Sequence, residues 1–346
     1  MSTPLIPATI LTGFLGSGKT TLLKRVLTEA HGSRIAVIEN EFGAENIDTD
    51  ILVQDATENI VQMSNGCVCC TIRDDLRATL ADLAARRRKG ELMFDRVIIE
   101  TTGVADPGPV AQTFFMDDEV AGQYLLDSII TLVDAKHAQQ QLDTRLEAQR
   151  QVGFADQIFI SKSDLVDADA LAALRHRLGH INPRAKQQVV HFGEVPLKEV
   201  LDLRGFNLNT KLEIDPEFLQ EADAHDHEHH DHAPGEACDH PHHHQHEDDV
   251  KSFVFRAERA FDPARLEDFL GAIVQVYGPR MLRYKGVLNL NGIDRKVVFQ
   301  GVHQIMGSDL AGPWGAQEQR QSKMVFIGID LPRDIILQGL EKSLVD

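Results

Sequence analysis

The sequence predicts an α/β protein: a doubly wound, mainly parallel sheet with helices on both faces, plus a smaller C-terminal α+β domain. Three observations carry this. Residues 5 to about 203 alternate short apolar runs with helical patterns, the order that builds a parallel sheet through crossover helices. A glycine-rich stretch, Gly13-Phe14-Leu15-Gly16-Ser17-Gly18-Lys19-Thr20, falls between the first apolar run and the first helical pattern. From Lys251 onward, β-branched strands group with two helical patterns instead of alternating with them. At 346 residues the chain is long enough for two domains, each with its own core.

The first strand is Thr9–Leu11, and Leu22, Leu23, Val26 and Leu27 give the following stretch its helical spacing. Between them, Gly-x-x-x-x-Gly-Lys-Thr in a strand–turn–helix context reads as a phosphate-binding loop. Its glycines let successive backbone N–H groups converge on one anion, and the helix N-terminus adds partial positive charge. Gly13, Gly16, Ser17, Gly18, Lys19, Thr20 and Thr21 are therefore the candidate nucleotide-binding residues. Lys19 is expected to reach the β- and γ-phosphates, and the Thr20 hydroxyl to take one position on Mg2+.

Further strands are expected at Arg34–Glu39, Arg96–Glu100, Ser128–Val133, Gln157–Ile160 and Gln188–His191, with helices at Arg73–Lys89 and Ala168–Leu178 among the connections. Ligands of such sheets bind at the carboxyl ends of the strands, where Glu39, Glu100, Asp134, Lys162 and Asp164 fall. Glu100-Thr101-Thr102-Gly103 suits a magnesium-side acid followed by a glycine whose N–H meets the γ-phosphate. In Ser161-Lys162-Ser163-Asp164, the Asp164 carboxylate matches the N1–H and N2–H2 edge of guanine and repels the acceptor that adenine turns there. The Lys162 stem suits the face of the base. The usual pattern is Asn-Lys-x-Asp; Ser161 in place of Asn removes an amide that ties this loop to the phosphate loop.

The polar stretch from Asn40 to about Asn65 reads as a nucleotide-responsive loop or an ordinary solvated one, and its Asp48 and Asp50 are candidates to approach magnesium. Cys67, Cys69 and Cys70 follow at once. Crowded thiolates suit Zn2+ or Cu+, and three of them leave a fourth position for water, Glu39, Glu41 or a recipient's ligand. A redox pair at the C-x-x-C spacing of Cys67 and Cys70, and buried structural thiols, are the alternatives.

Residues 205–249 break the pattern. Here stand His225, His227, His229, His230, His232, His240, His242, His243, His244 and His246, interleaved with acids and Cys238. So few apolar residues predict a disordered, histidine-rich linker with many weak overlapping metal sites. Beyond it, strands are expected at Ser252–Arg256, Leu282–Leu290, Arg295–Val302 and Lys323–Ile329, with an Asn291-Gly292 turn. A helix opens at Asp262-Pro263 with Leu266, Phe269, Leu270, Ile273 and Val276 on one face, and another spans Pro332–Leu344. Trp314 reads as packing rather than function, and Arg280, Arg283 and Lys285 as a solvated face, with a nucleotide-sensing or partner face as the alternative. No nucleophile–base arrangement stands out in this part of the chain.

The net charge of −18 argues against nucleic-acid and anionic-membrane partners. No run of 18 apolar residues and no secretory leader is present, so a cytoplasmic location is expected.

Taken together these residues resemble the CobW-type, YjiA-like family of metal-trafficking P-loop GTPases. The matching pieces are Gly13–Thr20, Glu39–Gly43, Gly66–Cys70, Glu100–Gly103, Ser161–Asp164, Arg283–Gly286 and Phe326–Gly328. The resemblance implies a P-loop NTPase fold, slow GTP hydrolysis with Mg2+, and Zn2+ or a related ion such as Co2+ or Ni2+ at the cysteines. It also implies delivery of metal to a target apo-metalloprotein and a role for Asp48 in magnesium or water positioning. Some relatives carry a Glu directly after Glu-Phe-Gly, where this chain has Ala44.

The domains expected are a P-loop GTPase domain at 1–204 carrying the Cys-x-Cys-Cys motif, the linker at 205–249 and a CobW-like C-terminal domain at 250–346. Lys19, Glu100 and Asp48 are the catalytic candidates, Gly103, Lys162 and Asp164 join the nucleotide site, and Glu39 joins the cysteines on zinc. The absence of an obvious water-orienting Gln or arginine finger points to slow unassisted turnover and to a partner protein or a homodimer that supplies the missing group. The competing readings are a metal buffer with weak nucleotide activity and a P-loop kinase or ATPase. The kinase or ATPase reading leaves Lys162, Asp164 and the thiols unexplained.

Overall fold

The computed structural model describes residues 4–29, 32–39, 72–196, 199–201, 203, 248–315 and 318–345. Six strands form the first sheet: β1 (Ile6–Gly13), β2 (Ile35–Glu39), β3 (Arg96–Glu100), β4 (Tyr124–Asp134), β5 (Gln157–Ser161) and β6 (Lys186–Val189). Their order is β2-β3-β1-β4-β5-β6, and every pairing is parallel. The sheet is buried on both faces, so its strands read as near-continuous apolar runs. Along β3, Val97 and Ile99 face one core and Ile98 the other.

Helix α1 (Lys19–Thr28) covers one face through Leu22, Leu23 and Val26, which pack with Leu11, Val37, Ile98 and Leu132. The opposite face carries α2 (Ile72–Arg88), α3 (Pro107–Met116), α6 (Leu146–Phe154) and α7 (Ala168–Ile181), through residues such as Leu80, Phe114, Val152 and Leu178. Short helices α4 (Asp118–Ala121) and α5 (Ala138–Thr144) complete the connections. The doubly wound architecture is thus present, with β1, β4 and β5 longer than their apolar centres suggested. The last strand lies at Lys186–Val189, two residues before the stretch expected from its pattern. It is an edge strand of half-exposed polar residues, where hydrophobicity marks register poorly.

The second sheet is antiparallel, in the order β10-β9-β8-β11-β7. Its strands are β7 (Val250–Ala257), β8 (Met281–Leu288), β9 (Arg295–Val302), β10 (Ile305–Pro313) and β11 (Ser322–Ile329). Strand β10 escaped the sequence reading because it is an edge. Its alternating exposure needs no apolar stripe, and Gly307, Ser308, Asp309 and Gly312 dilute the strand signal.

Helices α8 (Pro263–Tyr277) and α9 (Arg333–Lys342) cover one face of this sheet. The Asp262 side chain accepts from the Arg265 N–H and starts α8. The buried stripe is Leu266, Leu270, Ile273 and Val274, with Phe269 partly buried. Val276 is 65% exposed, which corrects its expected place: ten positions beyond Leu266 it has rotated past the edge of the stripe.

The other face of the second sheet packs against the first unit. Val250, Leu282, Val302, Val325 and Ile327 share one core with Val152 and Phe154 of α6. Arg283 is fully buried at this junction, contrary to its reading as a solvated residue. Its Nη2 donates to Asp156 Oδ1 at 2.6 Å, and Arg184 reaches the same oxygen at 3.1 Å. Burial pulls the Arg283 guanidinium down from its usual range to about 9, while Asp156 holds it charged. Burial also opposes the Asp156 charge, but the two arginines and the Ile129 N–H outweigh it and hold the carboxyl below its usual range. Arg280 does sit at the surface, pinned to the backbone carbonyls of Ile329 and Asp330. Trp314 packs with Val287, Val298 and Ala311, as its reading required, under the Lys296 ammonium.

Candidate functional site

The predicted ligand-binding edge is where the polar residues converge. The loop after β1 rises between β3 and β4 and runs into α1. Gly16 and Gly18 take left-handed backbone, φ 75° and 100°, so the loop curls before the helix begins. Gly18 is the N-cap of α1 and no side chain caps the first turn, which leaves backbone N–H groups for an anion. The Lys19 ammonium lies inside the curl, donating to the Gly13 carbonyl at 2.8 Å and the Phe14 carbonyl at 3.4 Å. Burial lowers its pKa from the usual lysine value, and the Glu100 carboxylate partly opposes the shift.

Thr20 Oγ1 donates to Glu100 Oε1 at 3.1 Å, joining the first turn of α1 to the end of β3. A hydroxyl beside a carboxylate, both hard oxygen donors next to the phosphate loop, fits Mg2+. Thr21 follows on the exposed side of the same turn. Beyond Glu100, Thr101 Oγ1 donates to Thr12 Oγ1 at 2.8 Å. Gly103 then crosses the phosphate loop so closely that a Cβ on it would stand 2.6 Å from the Leu15 nitrogen. Only glycine allows that approach.

Two residues of α6 that the sequence did not single out hold this crossing in place. The Gln151 amide donates to the Gly103 and Ala105 carbonyls at 3.1 and 3.0 Å. Arg150 donates to Asp106 Oδ2 at 2.8 Å, while Asp106 Oδ1 accepts from the Gly108 N–H and caps α3. Neither residue lies in a motif; only the fold brings α6 beneath the loop.

The base-side loop leaves β5 at Ser161. Contrary to the expected loss of a tie at this position, Ser161 Oγ donates to the Ser17 carbonyl at 2.7 Å. The short hydroxyl does the work of the longer amide because β5 ends close under the phosphate loop. Lys162 adopts left-handed backbone, φ 56°, and its Nζ donates to Asp134 Oδ2 at 2.7 Å. His137 Nδ1 lies 2.9 Å from the same oxygen. Burial raises the Asp134 pKa, but the bonds from Lys162, His137 and the Lys136 N–H outweigh it, and the carboxyl sits below its usual range. Asp134, seen in the sequence only as a strand-end acid, is therefore what fixes Lys162. Asp164 lies in the 3-10 turn Ser163–Leu165 with a half-exposed carboxylate, 3.9 Å from His191 Nδ1.

Glu39 ends β2 in register with Glu100 at the end of β3. Cys67, Cys69, Cys70, Asp48 and the ten histidines from His225 to His246 lie outside the described residues. No helix among the described residues is long and apolar enough to cross a membrane.

Comparison with known proteins agrees with this geometry. Residues 7–189 match the family described as CobW/HypB/UreG, nucleotide-binding domain. Residues 250–344 match the cobalamin synthesis protein cobW C-terminal domain. The chain is 39% identical to the zinc chaperone YjiA of Escherichia coli over 341 residues, 97% of this chain and 99% of that protein. It is 34% identical to the zinc chaperone CobW of Pseudomonas aeruginosa, over 98% of this chain and 92% of that one. It is 35% identical to the zinc-regulated GTPase metalloprotein activator 1 of Schizosaccharomyces pombe, over 64% of this chain and 59% of the relative. The crystal structure of Zn(II)-bound YjiA GTPase from E. coli superposes with a TM-score of 0.76 at 34% identity, covering 99% of this chain and all of that one. With both halves matched in order and relatives aligned along nearly its whole length, the chain belongs to the CobW family of nucleotide-binding proteins.

Proposed function

We propose that this chain is a GTPase that binds zinc and couples GTP binding and hydrolysis to delivery of that zinc to a target metalloprotein. The observation that carries the coupling is the register of β2 and β3. Glu39, the candidate zinc ligand, neighbours Glu100, the acid bonded to Thr20 of the phosphate loop. Adjacent strands lie about 4.8 Å apart, so a shift at one carboxylate acts on the other through one layer of backbone.

In this reading residues 1–204 form the GTPase unit, 205–249 the histidine-rich connection and 250–346 the C-terminal unit. The phosphate loop, with Gly13, Gly16, Ser17, Gly18 and Thr21, cradles the phosphates, and Lys19 draws charge from the γ-phosphate. Thr20 and Glu100 would hold Mg2+, which would supply charge stabilisation to the phosphates. Gly103 presents its N–H to the γ-phosphate, Asp48 positions magnesium or water, and Asp164 reads guanine beside the Lys162 stem. Zinc is cargo, taken by Cys67, Cys69 and Cys70 with Glu39. The histidines of the connection supply weaker sites. The names of the relatives, zinc chaperone and zinc-regulated GTPase metalloprotein activator, support this assignment.

The test is a zinc titration of the full chain with no nucleotide, with GDP and with a non-hydrolysable GTP analogue, the tight site being read by thiolate absorbance. A change of tenfold in zinc affinity between the nucleotide forms corresponds to about 1.4 kcal/mol of differential contact. Linkage requires zinc to alter nucleotide affinity by the same factor. Identical zinc affinity in all three forms sinks the coupling, leaving a hydrolase and a chelator on one chain.

A further inference from the structure

Helix α7 carries a pair of histidines that the nucleotide-site reading does not use. His176 and His180 stand four positions apart, so both project from one face of the helix. Both are exposed, and their Nε2 atoms approach to 3.2 Å. The ring centroids are 4.4 Å apart and the ring planes stand at 70°. Two metal–nitrogen bonds of about 2.0–2.1 Å set their nitrogens about 2.9 Å apart at a right angle and about 3.4 Å apart at the tetrahedral angle. The observed separation lies between those limits, with the helix already holding it.

The surroundings favour a cation at this point. His180 lies in the last turn of α7, at the negative end of the helix dipole. The neighbouring guanidinium groups are engaged elsewhere: Arg177 bonds Asp248, Asp143 and Gln139, and Arg175 donates to the Gln187 carbonyl. The position in the chain is also informative. After the histidine-rich stretch the chain returns at Asp248, which Arg177 of this same helix holds at 2.5 Å, and Ser252 Oγ then donates to the His180 carbonyl. The pair therefore stands where that stretch joins the folded body.

We infer that His176 and His180 form a surface site for a divalent transition-metal ion of the imidazole-preferring class, Zn2+, Ni2+, Co2+ or Cu2+, with water in the remaining positions. The site calls on none of the cysteines and does not depend on the GTPase reading.

The experiment compares the full-length chain with its H176N/H180N variant, so that the cysteines and the histidine-rich stretch are common to both. Zinc is the probe. Equilibrium dialysis should show one equivalent fewer in the variant, and crystals grown with zinc should show an anomalous peak between the two Nε2 atoms of the unaltered chain alone. The single variant H176N should lose most of the same equivalent, because it breaks the two-imidazole chelate. Both side chains are exposed, so circular dichroism and GTP hydrolysis should not change. Unchanged stoichiometry, or no peak between the rings, overturns the proposal and leaves a histidine–histidine hydrogen bond.

Discussion

Replacing Arg283 with Met tests how the two sheets are joined. The Arg283 side chain is fully buried and Asp156 is 5% exposed, so the substitution leaves a buried carboxylate short of one counter-charge. Breaking such a pair costs about 3–5 kcal/mol. Arg184 remains 3.1 Å from the same oxygen, and the Ile129 N–H 2.9 Å from the other, so the lower end, about 3 kcal/mol, applies. The chain has one tryptophan, Trp314, buried in the C-terminal sheet, and its emission therefore reports that sheet alone. In urea, with a slope of about 1–3 kcal/mol per molar, the Trp314 transition of R283M should move down by about 1–3 M, ahead of the circular-dichroism transition of the whole chain. The double variant D156N/R283M should be less destabilised than the two single changes added together. The Asp156 pKa is depressed in the fold, so its contribution is present above the ordinary aspartate range, near about pH 4, and drains away as pH falls through the lower folded value. A shift of R283M under about 0.5 kcal/mol, or strict additivity in the double variant, would refute the view that this ion cluster joins the units.

Three further outcomes follow from the nucleotide site. Lys19→Ala should cut GTP hydrolysis by about a hundredfold or more in a phosphate-release assay, since it removes a charged donor held inside the loop. Ser161→Ala removes the hydrogen bond to the Ser17 carbonyl, worth about 0.5–1.5 kcal/mol, and should weaken GDP binding by about two- to twelvefold in fluorescence titration. Asp164→Asn should lose guanine preference and gain affinity for xanthine nucleotides, whose carbonyl replaces the guanine amino group; competition among GTP, XTP and ATP measures it.

Much of the first unit was legible because its determinants are local. A strand buried on both faces has to be apolar, and a phosphate loop has to carry glycines at fixed offsets. Glu100 beside Thr20 therefore followed from motif order and the strand-end rule, whereas the close passage of Gly103 over Leu15 shows only in the fold. What was hidden depends on chain segments far apart in sequence. Ser161 looked like a lost contact until β5 set its hydroxyl under Ser17, 144 positions away. Gln151 and Arg150 look like ordinary polar helix residues until α6 passes beneath the loop. Arg283 looked solvated because charge in a strand usually faces water, and nothing local reveals that Asp156 waits across the junction. Strand β10 was missed for the opposite reason, since an edge places few demands on its sequence.

The shared core beneath the second sheet changes what the long histidine-rich stretch has to do. Val250, Leu282, Val302, Val325 and Ile327 are already seated on the larger unit, and Arg283 bolts them there. The intervening stretch is therefore not a tether that keeps two bodies within reach of each other. A protease that cut it should leave both fragments bound as one particle.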